Sequence, residues 1–268
     1  MSRGTATTTM YGNLYDFPHY YDTIFGFGCR DEVTFLIQCF QGHAQRNVRR
    51  IFEPACGTGR LFVPLSRRGF IVSGLDINQR ALTYCNDRLA RHGFSRSACV
   101  GDMTRFRLPR KVDAAFNLIN TFRLLTSENM AVAHMRCVGD AVNQGGLYIL
   151  GLHLTPTVGR PHSRESYFSR RGQLCVKTTL RTTRRDLSER LERVRITCDV
   201  RTPTKRMRIV DDLTFRTYTL RQLVSLFEKA MCFEIVKIYD FGYDIRRPID
   251  LSPSTQDVVI VLRKRANR

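Results

Sequence analysis

One stretch, Ile51-Phe52-Glu53-Pro54-Ala55-Cys56-Gly57-Thr58-Gly59-Arg60, limits what this chain can fold into. A short apolar run enters two glycines spaced by one residue and then a helix-compatible segment. Such a turn uses backbone conformations open to glycine and lets a ligand lie against the loop and the helix N-terminus. The next β-prone run, Phe70 to Leu75, ends on Asp76, 23 residues beyond Glu53. An acidic group there can accept both hydroxyl hydrogens of a ribose, as in dinucleotide sites. Phe62 stands where the third glycine of a Gly-x-Gly-x-x-Gly fingerprint belongs, which argues against NAD.

The alternation continues downstream. Asn78 is placed to cap a helix carrying Leu82, Cys85 and Leu89, Ser97 to Val100 reads as a short strand before Gly101-Asp102, and Val112 to Asn117 as another. Ser127 is placed to cap a helix with Ala131, Met135, Val138 and Val142 on one face, and Gly145-Gly146 precede the strand Leu147 to Leu152. This pitch predicts right-handed βαβ units and a parallel sheet covered on both faces. Upstream, the first ten residues read as a frayed tail, and Val33, Leu36, Ile37 and Phe40 predict a helix starting near Asp31.

Beyond the fifth strand the texture changes. From His153 to Phe215, runs such as Leu174 to Leu180 and Val194 to Val200 predict an antiparallel insertion of about three strands, a lid or floor over the site. Thr219 and Gln222 then form a capping-box pattern before the stripe Leu220, Leu223, Val224 and Phe227. Phe233 to Phe241 and Asp257 to Leu262 are the last two strands.

With 268 residues, 43% of them hydrophobic, the chain can bury a core without crosslinks. Nine Cys lie scattered with no Cys-x-x-Cys pair, which argues against a disulfide framework and a zinc site, so no metal is expected. No apolar run approaches the roughly 18 residues of a membrane helix, so the expectation is a cytoplasmic protein with no membrane partner. Basic residues number 43 against 24 acidic ones, a formal charge of +19, and 37 of the 43 are Arg. That excess fits an anionic partner and fits equally a compositional bias of the genome. The Arg-rich insertion holds a little under half of it.

The run EPACGTGR, with GLDIN at Gly74 to Asn78, GDM at Gly101 to Met103 and the strand Phe116-Asn117-Leu118-Ile119-Asn120, resembles the class I S-adenosylmethionine-dependent methyltransferases. The resemblance implies an α/β, Rossmann-like fold: a seven-stranded sheet of order 3-2-1-4-5-7-6 with its last strand antiparallel, here with a small antiparallel β insertion after the fifth strand. It divides the chain into an N-terminal segment and helix covering the cofactor site (1–46), the cofactor-binding domain (47–152 and 216–268) and the insertion (153–215). The implied cofactor is S-adenosyl-L-methionine. Gly57 and Gly59 would approach its methionine part, with Glu53 near the amino acid moiety, Asp76 on the ribose, Ile77 on the adenine, and Asp102 with Met103 at the adenine amine and ring. Ala55 and Asn117 complete the expected cofactor set.

On the acceptor side, Asn117 to Leu125 looks like the GNSFxHL stretch of glycine N-methyltransferase-like enzymes, with Asn120-Thr121-Phe122 matching and Ile119 and Arg123 departing from it. The prolines of the N/D-P-P-Y/F tetrapeptide of nucleic-acid amino-methyltransferases are missing. His153, directly after the fifth strand, is the candidate proton acceptor or a satisfied structural histidine, and Asn120 joins it as a catalytic candidate. Arg123 can pair with a substrate carboxylate or stand as a solvated Arg, and Tyr21 is a further substrate-side candidate. These residues favour methyl transfer to the nitrogen or oxygen of a small-molecule acceptor. The competing readings are an RNA or other nucleic-acid methyltransferase using the Arg-rich insertion, and a non-catalytic interaction protein on the same fold. Intact Gly57, Gly59, Asp76 and Asp102 weigh against the latter.

Overall fold

A computed structural model describes residues 7–26 and 28–265. The elements run β1 (Thr8–Tyr11), α1 (Pro18–Phe25), α2 (Arg30–His43), β2 (Arg50–Pro54), α3 (Phe62–Ser66), β3 (Ile71–Asp76), α4 (Gln79–Arg91), β4 (Ala98–Val100) and β5 (Val112–Asn117). They continue with α5 (Glu128–Ala141), β6 (Val142–His153), β7 (Arg164–Arg171), β8 (Leu174–Asp186), β9 (Leu191–Arg201), β10 (Arg206–Arg216), α6 (Leu220–Ala230), β11 (Phe233–Tyr239) and β12 (Asp257–Lys264).

Seven strands form one sheet in the order β11-β12-β6-β5-β2-β3-β4, with β12 antiparallel to both its neighbours. Read from β4, this is the order 3-2-1-4-5-7-6. Successive residues on one strand go to opposite layers: Ile51, Phe116 and Ile149 pack with α2, α3 and α4, whereas Phe52, Ala115 and Leu150 pack with α5 and α6. Each fully buried side chain of this size contributes about 1.5–3 kcal/mol, so both sheet faces must be covered. The caps at Asn78, Ser127 and Thr219 form, each side chain accepting a backbone N–H of the first helical turn.

The second sheet, β1-β10-β9-β8-β7, packs its inner face on Leu14, Ile24 and the aromatics of α1. It contains four antiparallel strands where the sequence pattern predicts three. Most side chains of the extra strand, β7, are exposed, so it carries no alternation to read. The frayed tail expected over the first ten residues, of which 1–6 lie outside the described residues, is corrected where it is described: Thr8–Tyr11 forms β1, paired parallel to β10. All four of its side chains are exposed, and its gain is main-chain hydrogen bonding at a sheet edge. Strand β6 starts at Val142 and runs through Gly145-Gly146 rather than after them. Among the described residues no helix is long and apolar enough to cross a membrane.

Asp22 joins the two sheets. Buried on α1, it accepts hydrogen bonds from Arg88 of α4 (2.6 Å), Arg171 of β7 (2.8 Å) and the Tyr84 hydroxyl (2.9 Å). Those donors hold its carboxyl below the usual range despite the desolvation that opposes them.

Candidate functional site

The carboxyl ends of β2, β3, β4 and β5 open into a cavity of about 540 Å³, the place where α/β sheets bind ligands. Asn13, Tyr15 and Tyr21 of the N-terminal segment and Leu213 of β10 close it from above. The Tyr15 and Tyr21 rings lie 4.9 Å apart. Burial pushes the Tyr21 hydroxyl up to about 12, so it serves as a neutral hydrogen-bonding group.

The loop after β2 is held from two sides. Asp76 Oδ2 accepts the Gly57 N–H (2.7 Å) and Oδ1 the Asn78 N–H (2.8 Å). Arg88 Nη2 donates to the carbonyls of Thr58 (2.8 Å) and Gly59. Desolvation raises the Asp76 carboxyl, and the backbone donors counter it. Gly57 has φ +52°, a left-handed conformation in which a side chain is strained.

Glu53 is 7% exposed, and its Oε2 has no hydrogen-bond partner among the described residues. Its cationic neighbour Arg60 is engaged instead by Glu32, through Nη1 and through Nη2 at 2.6 Å. Burial therefore pushes the Glu53 carboxyl well above its ordinary range, with Arg60 opposing. A buried carboxyl left unpartnered beside a cavity fits a ligand that brings a cation or a donor.

Asp102 is exposed at the rim, and its Oδ1 accepts the Thr104 N–H (2.7 Å) and hydroxyl (2.8 Å). Met103 lines the cavity, and its carbonyl accepts the Nδ1–H of His134 (3.0 Å). The other ring nitrogen of His134 accepts from the Tyr148 hydroxyl (2.7 Å), and burial lowers its pKa to about 4. Ile77, largely exposed, forms part of the mouth.

Eight of the residues singled out from sequence thus surround one cavity: Tyr21, Glu53, Ala55, Gly57, Asp76, Ile77, Asp102 and Met103. Two others of that set do not. Gly59 packs on α4, where an added Cβ would lie 2.3 Å from Cys85 Sγ, so its smallness serves packing rather than ligand approach. Asn117 is buried, and its Nδ2 donates to the Pro54 carbonyl (2.8 Å), tying β5 to β2.

Of the acceptor-side candidates, Asn120, Arg123 and His153 lie around a separate, smaller cavity of about 90 Å³, walled by β8, β9 and β10, whereas Tyr21 belongs to the large one. A corner of two left-handed residues divides the two spaces: Ile119 (φ +58°) lines the large one and Asn120 (φ +63°) the small one. A β-branched residue in that region is a genuine outlier, costing of order 1–3 kcal/mol. Asn120 Oδ1 accepts the backbone N–H of His153 (2.7 Å), so the side chain clamps the end of β6. His153 Nδ1–H donates to Asp257 Oδ1 (2.5 Å), and that contact lowers the Asp257 carboxyl.

Arg123 corrects both readings of it. It is 6% exposed, and its guanidinium is committed to Glu192 (2.6 Å) and to the Arg216 carbonyl (3.0 Å). It is therefore neither solvated nor a free clamp for a substrate. Glu192 arrives on β9, and no local pattern around Arg123 announces a partner 69 residues away. Sequence reasoning also passes over Asp257, visible only once β12 is paired antiparallel with β6 in a register that sets Asp257 opposite His153. Among the described residues no group of three or more His, Cys, Asp or Glu could hold a metal ion.

Residues 51–146 match the family described as a methyltransferase domain. Over 84 residues, 31% of this chain, the sequence is 32% identical to the ribosomal RNA small subunit methyltransferase C of Alcanivorax borkumensis. That match spans 26% of the relative's length. Likeness of fold extends over nearly the whole chain. A S-adenosylmethionine-dependent methyltransferase from Clostridium acetobutylicum superposes with a TM-score of 0.75 at 16% identity, covering 95% of this chain and 100% of that one. An amino pentose methyltransferase from Micromonospora echinaspora, solved with S-adenosylmethionine bound, gives 0.68 at 19% identity, covering 94% and 98%. The fold is that of the S-adenosylmethionine-dependent methyltransferases.

Proposed function

We propose that this protein is an S-adenosylmethionine-dependent methyltransferase that methylates a nitrogen or oxygen of a small molecule. The observation that carries the reading is the unpartnered, buried carboxyl of Glu53 in a 540 Å³ cavity that Asp76, at the end of the neighbouring strand β3, also lines. A zwitterionic nucleoside of this kind needs an acceptor for its ammonium and a second acidic group for its ribose. Each oxygen of Asp76 has one backbone donor and keeps a lone pair for a hydroxyl. Bound there, the cofactor supplies a methyl group on a sulfonium. The chain's own work is to hold the acceptor in line, exclude water and take a proton.

His153 is proposed for the last task. With Nδ1–H spent on Asp257, its Nε2 keeps the lone pair, and Asn120 fixes the backbone that carries the ring. Residues 1–46 and 153–215 are proposed to cover the cofactor and close the acceptor side. The inner face of the insertion meets both cavities, while most of its Arg point away from them, which supports a small acceptor over a nucleic-acid strand in the site. The amino pentose activity named for the neighbour of similar fold agrees with this acceptor class.

The test is calorimetric titration with S-adenosylhomocysteine on the wild type and on Asp76→Ala. At 100 times its dissociation constant a ligand adds about 2.7 kcal/mol of stability, readily seen as a thermal shift. Binding and shift in the wild type, lost in Asp76→Ala, are expected. No binding to the wild type, or an unchanged shift in the variant, overturns the cofactor assignment.

A further inference from the structure

Apart from Arg164, which also lines the small cavity, the outer face of the five-stranded sheet has no role in either cavity, and its charge is far from balanced. The strand registers bring ten exposed Arg and Lys side chains of β7 to β10 onto it, against three acidic ones, Asp186, Asp199 and Asp212. Asp212 binds Arg195 through both oxygens (2.8 Å each), and Asp199 binds Arg208 (2.7 and 3.1 Å). Arg184 binds Asp186 at the end of the same strand (3.2 Å). Seven of the ten have no carboxylate partner among the described residues.

Their arrangement also opposes folding. Arg164 stands opposite Arg181, and Arg181 opposite Arg195, in one row across three strands. Arg184 faces Arg193, and Arg201 faces Arg206. Like charges directly opposite across a sheet are destabilising, so four such pairs cost the isolated protein stability. A local rule broken repeatedly on one surface marks a functional surface. Strands lie about 4.8 Å apart, so the row of three presents its cations along roughly 10 Å. Exposed Phe168 and Tyr11 border the face at its two edges and offer rings on which bases can stack.

We infer that this face docks a single-stranded nucleic acid, through its phosphates, as a partner of the protein rather than as its methyl acceptor. Charge complementarity selects a polyanion, and an open sheet face with stacking rings at its margins selects a single strand over a duplex. The strand lies on the side of the sheet away from the large cavity, so the inference stands whether or not the acceptor is a small molecule.

The experiment is fluorescence anisotropy of the full chain with a labelled 20-nucleotide RNA and its DNA counterpart, from 50 to 200 mM salt. Six phosphate contacts give a log-log slope near −4, which is roughly 300-fold weaker binding across that range. The double variant Arg201→Gln with Arg206→Gln should lower the slope by about 1.4 and bind more weakly, while melting no lower than the wild type because a repulsive pair is gone. Removing two cations elsewhere, by Arg68→Gln with Arg91→Gln, should leave the slope near its wild-type value. Equal loss in both variants reduces the effect to net charge and overturns the inference. So does wild-type binding by the first variant, or capture of phosphatidylserine vesicles without RNA binding. Unchanged S-adenosylhomocysteine affinity in all variants is the control for an intact fold.

Discussion

His134 makes stability fall with acidity in a calculable way. The ring is fully buried on α5, donates to the Met103 carbonyl and accepts from the Tyr148 hydroxyl, so both nitrogens are used only while it is neutral. Burial lowers its pKa to about 4, whereas in the unfolded chain it is near 6.5. Below about pH 6.5 the unfolded chain therefore binds the proton that the folded one refuses. The contribution is fully present above pH 6.5, declines as pH falls, and is lost once pH passes about 4. A difference of about 2.5 units at 1.36 kcal/mol each comes to ~3 kcal/mol, a large part of a typical 5–15 kcal/mol stability. Urea denaturation from pH 4 to 8 on the wild type and on His134→Phe measures it, because other titrations cancel in the difference. The wild-type advantage over the variant should shrink by ~3 kcal/mol between pH 7.5 and 4. Parallel curves would refute the buried neutral imidazole. Because His134 holds the carbonyl of cavity-lining Met103 and stays neutral in the folded chain until pH nears about 4, S-adenosylhomocysteine affinity should hold through that window and weaken only there.

Gly59→Ala should cost about 2–4 kcal/mol in chemical denaturation, from a left-handed backbone and a collision with Cys85 Sγ; a loss below 1 kcal/mol would contradict the packing role. Asp257→Asn should lower kcat roughly 10²-fold and alter the pH–rate profile, with cofactor affinity unchanged; an unaltered profile would show that His153 does not work through Asp257. Glu192→Gln, which strands the buried Arg123 charge beside Arg185, should destabilise by about 3–5 kcal/mol, and adding Arg123→Met should recover part of that loss in thermal melts.

The parts of the fold that were legible are those encoded within a dozen residues. The cap at Asn78, the stripe Leu82, Cys85, Leu89 and the glycine turn each carry their own signal, whereas the sheet order observed is implied by the resemblance to methyltransferases and not by these local patterns. The cofactor-side residues share that locality because they sit on successive strand ends. What could not be read depends on pairing between distant strands. Glu192 on Arg123, Asp257 on His153 and Leu213 over the cavity all follow from registers of β9, β10 and β12 that no local spacing announces. Strands β1 and β7 escaped because most of their side chains face solvent, leaving main-chain pairing that has no residue pattern.

The two faces of the insertion also decide what its charge is for. Along β9, Glu192, Val194, Ile196, Cys198 and Val200 are buried, while Arg193, Arg195 and Arg201 face out. A one-residue slip would carry those guanidiniums into the core, so they help fix the register that brings Glu192 to Arg123. Any polar residue would fix register as well. Alternating Lys with Glu, or placing Thr, would do so without setting Arg201 against Arg206 or Arg181 against both its neighbours. Compositional bias toward Arg supplies cations but does not remove their counterions from one face. On the seven-stranded sheet's side of the molecule the pattern is mixed: exposed Arg46 and Arg96 each have a carboxylate within 3.0 Å, whereas exposed Arg67, Arg68, Arg80 and Arg107 have none among the described residues. What sets the outer face of the insertion apart is therefore the opposition of its cations across neighbouring strands, a repulsion that an anionic partner from outside the chain would relieve.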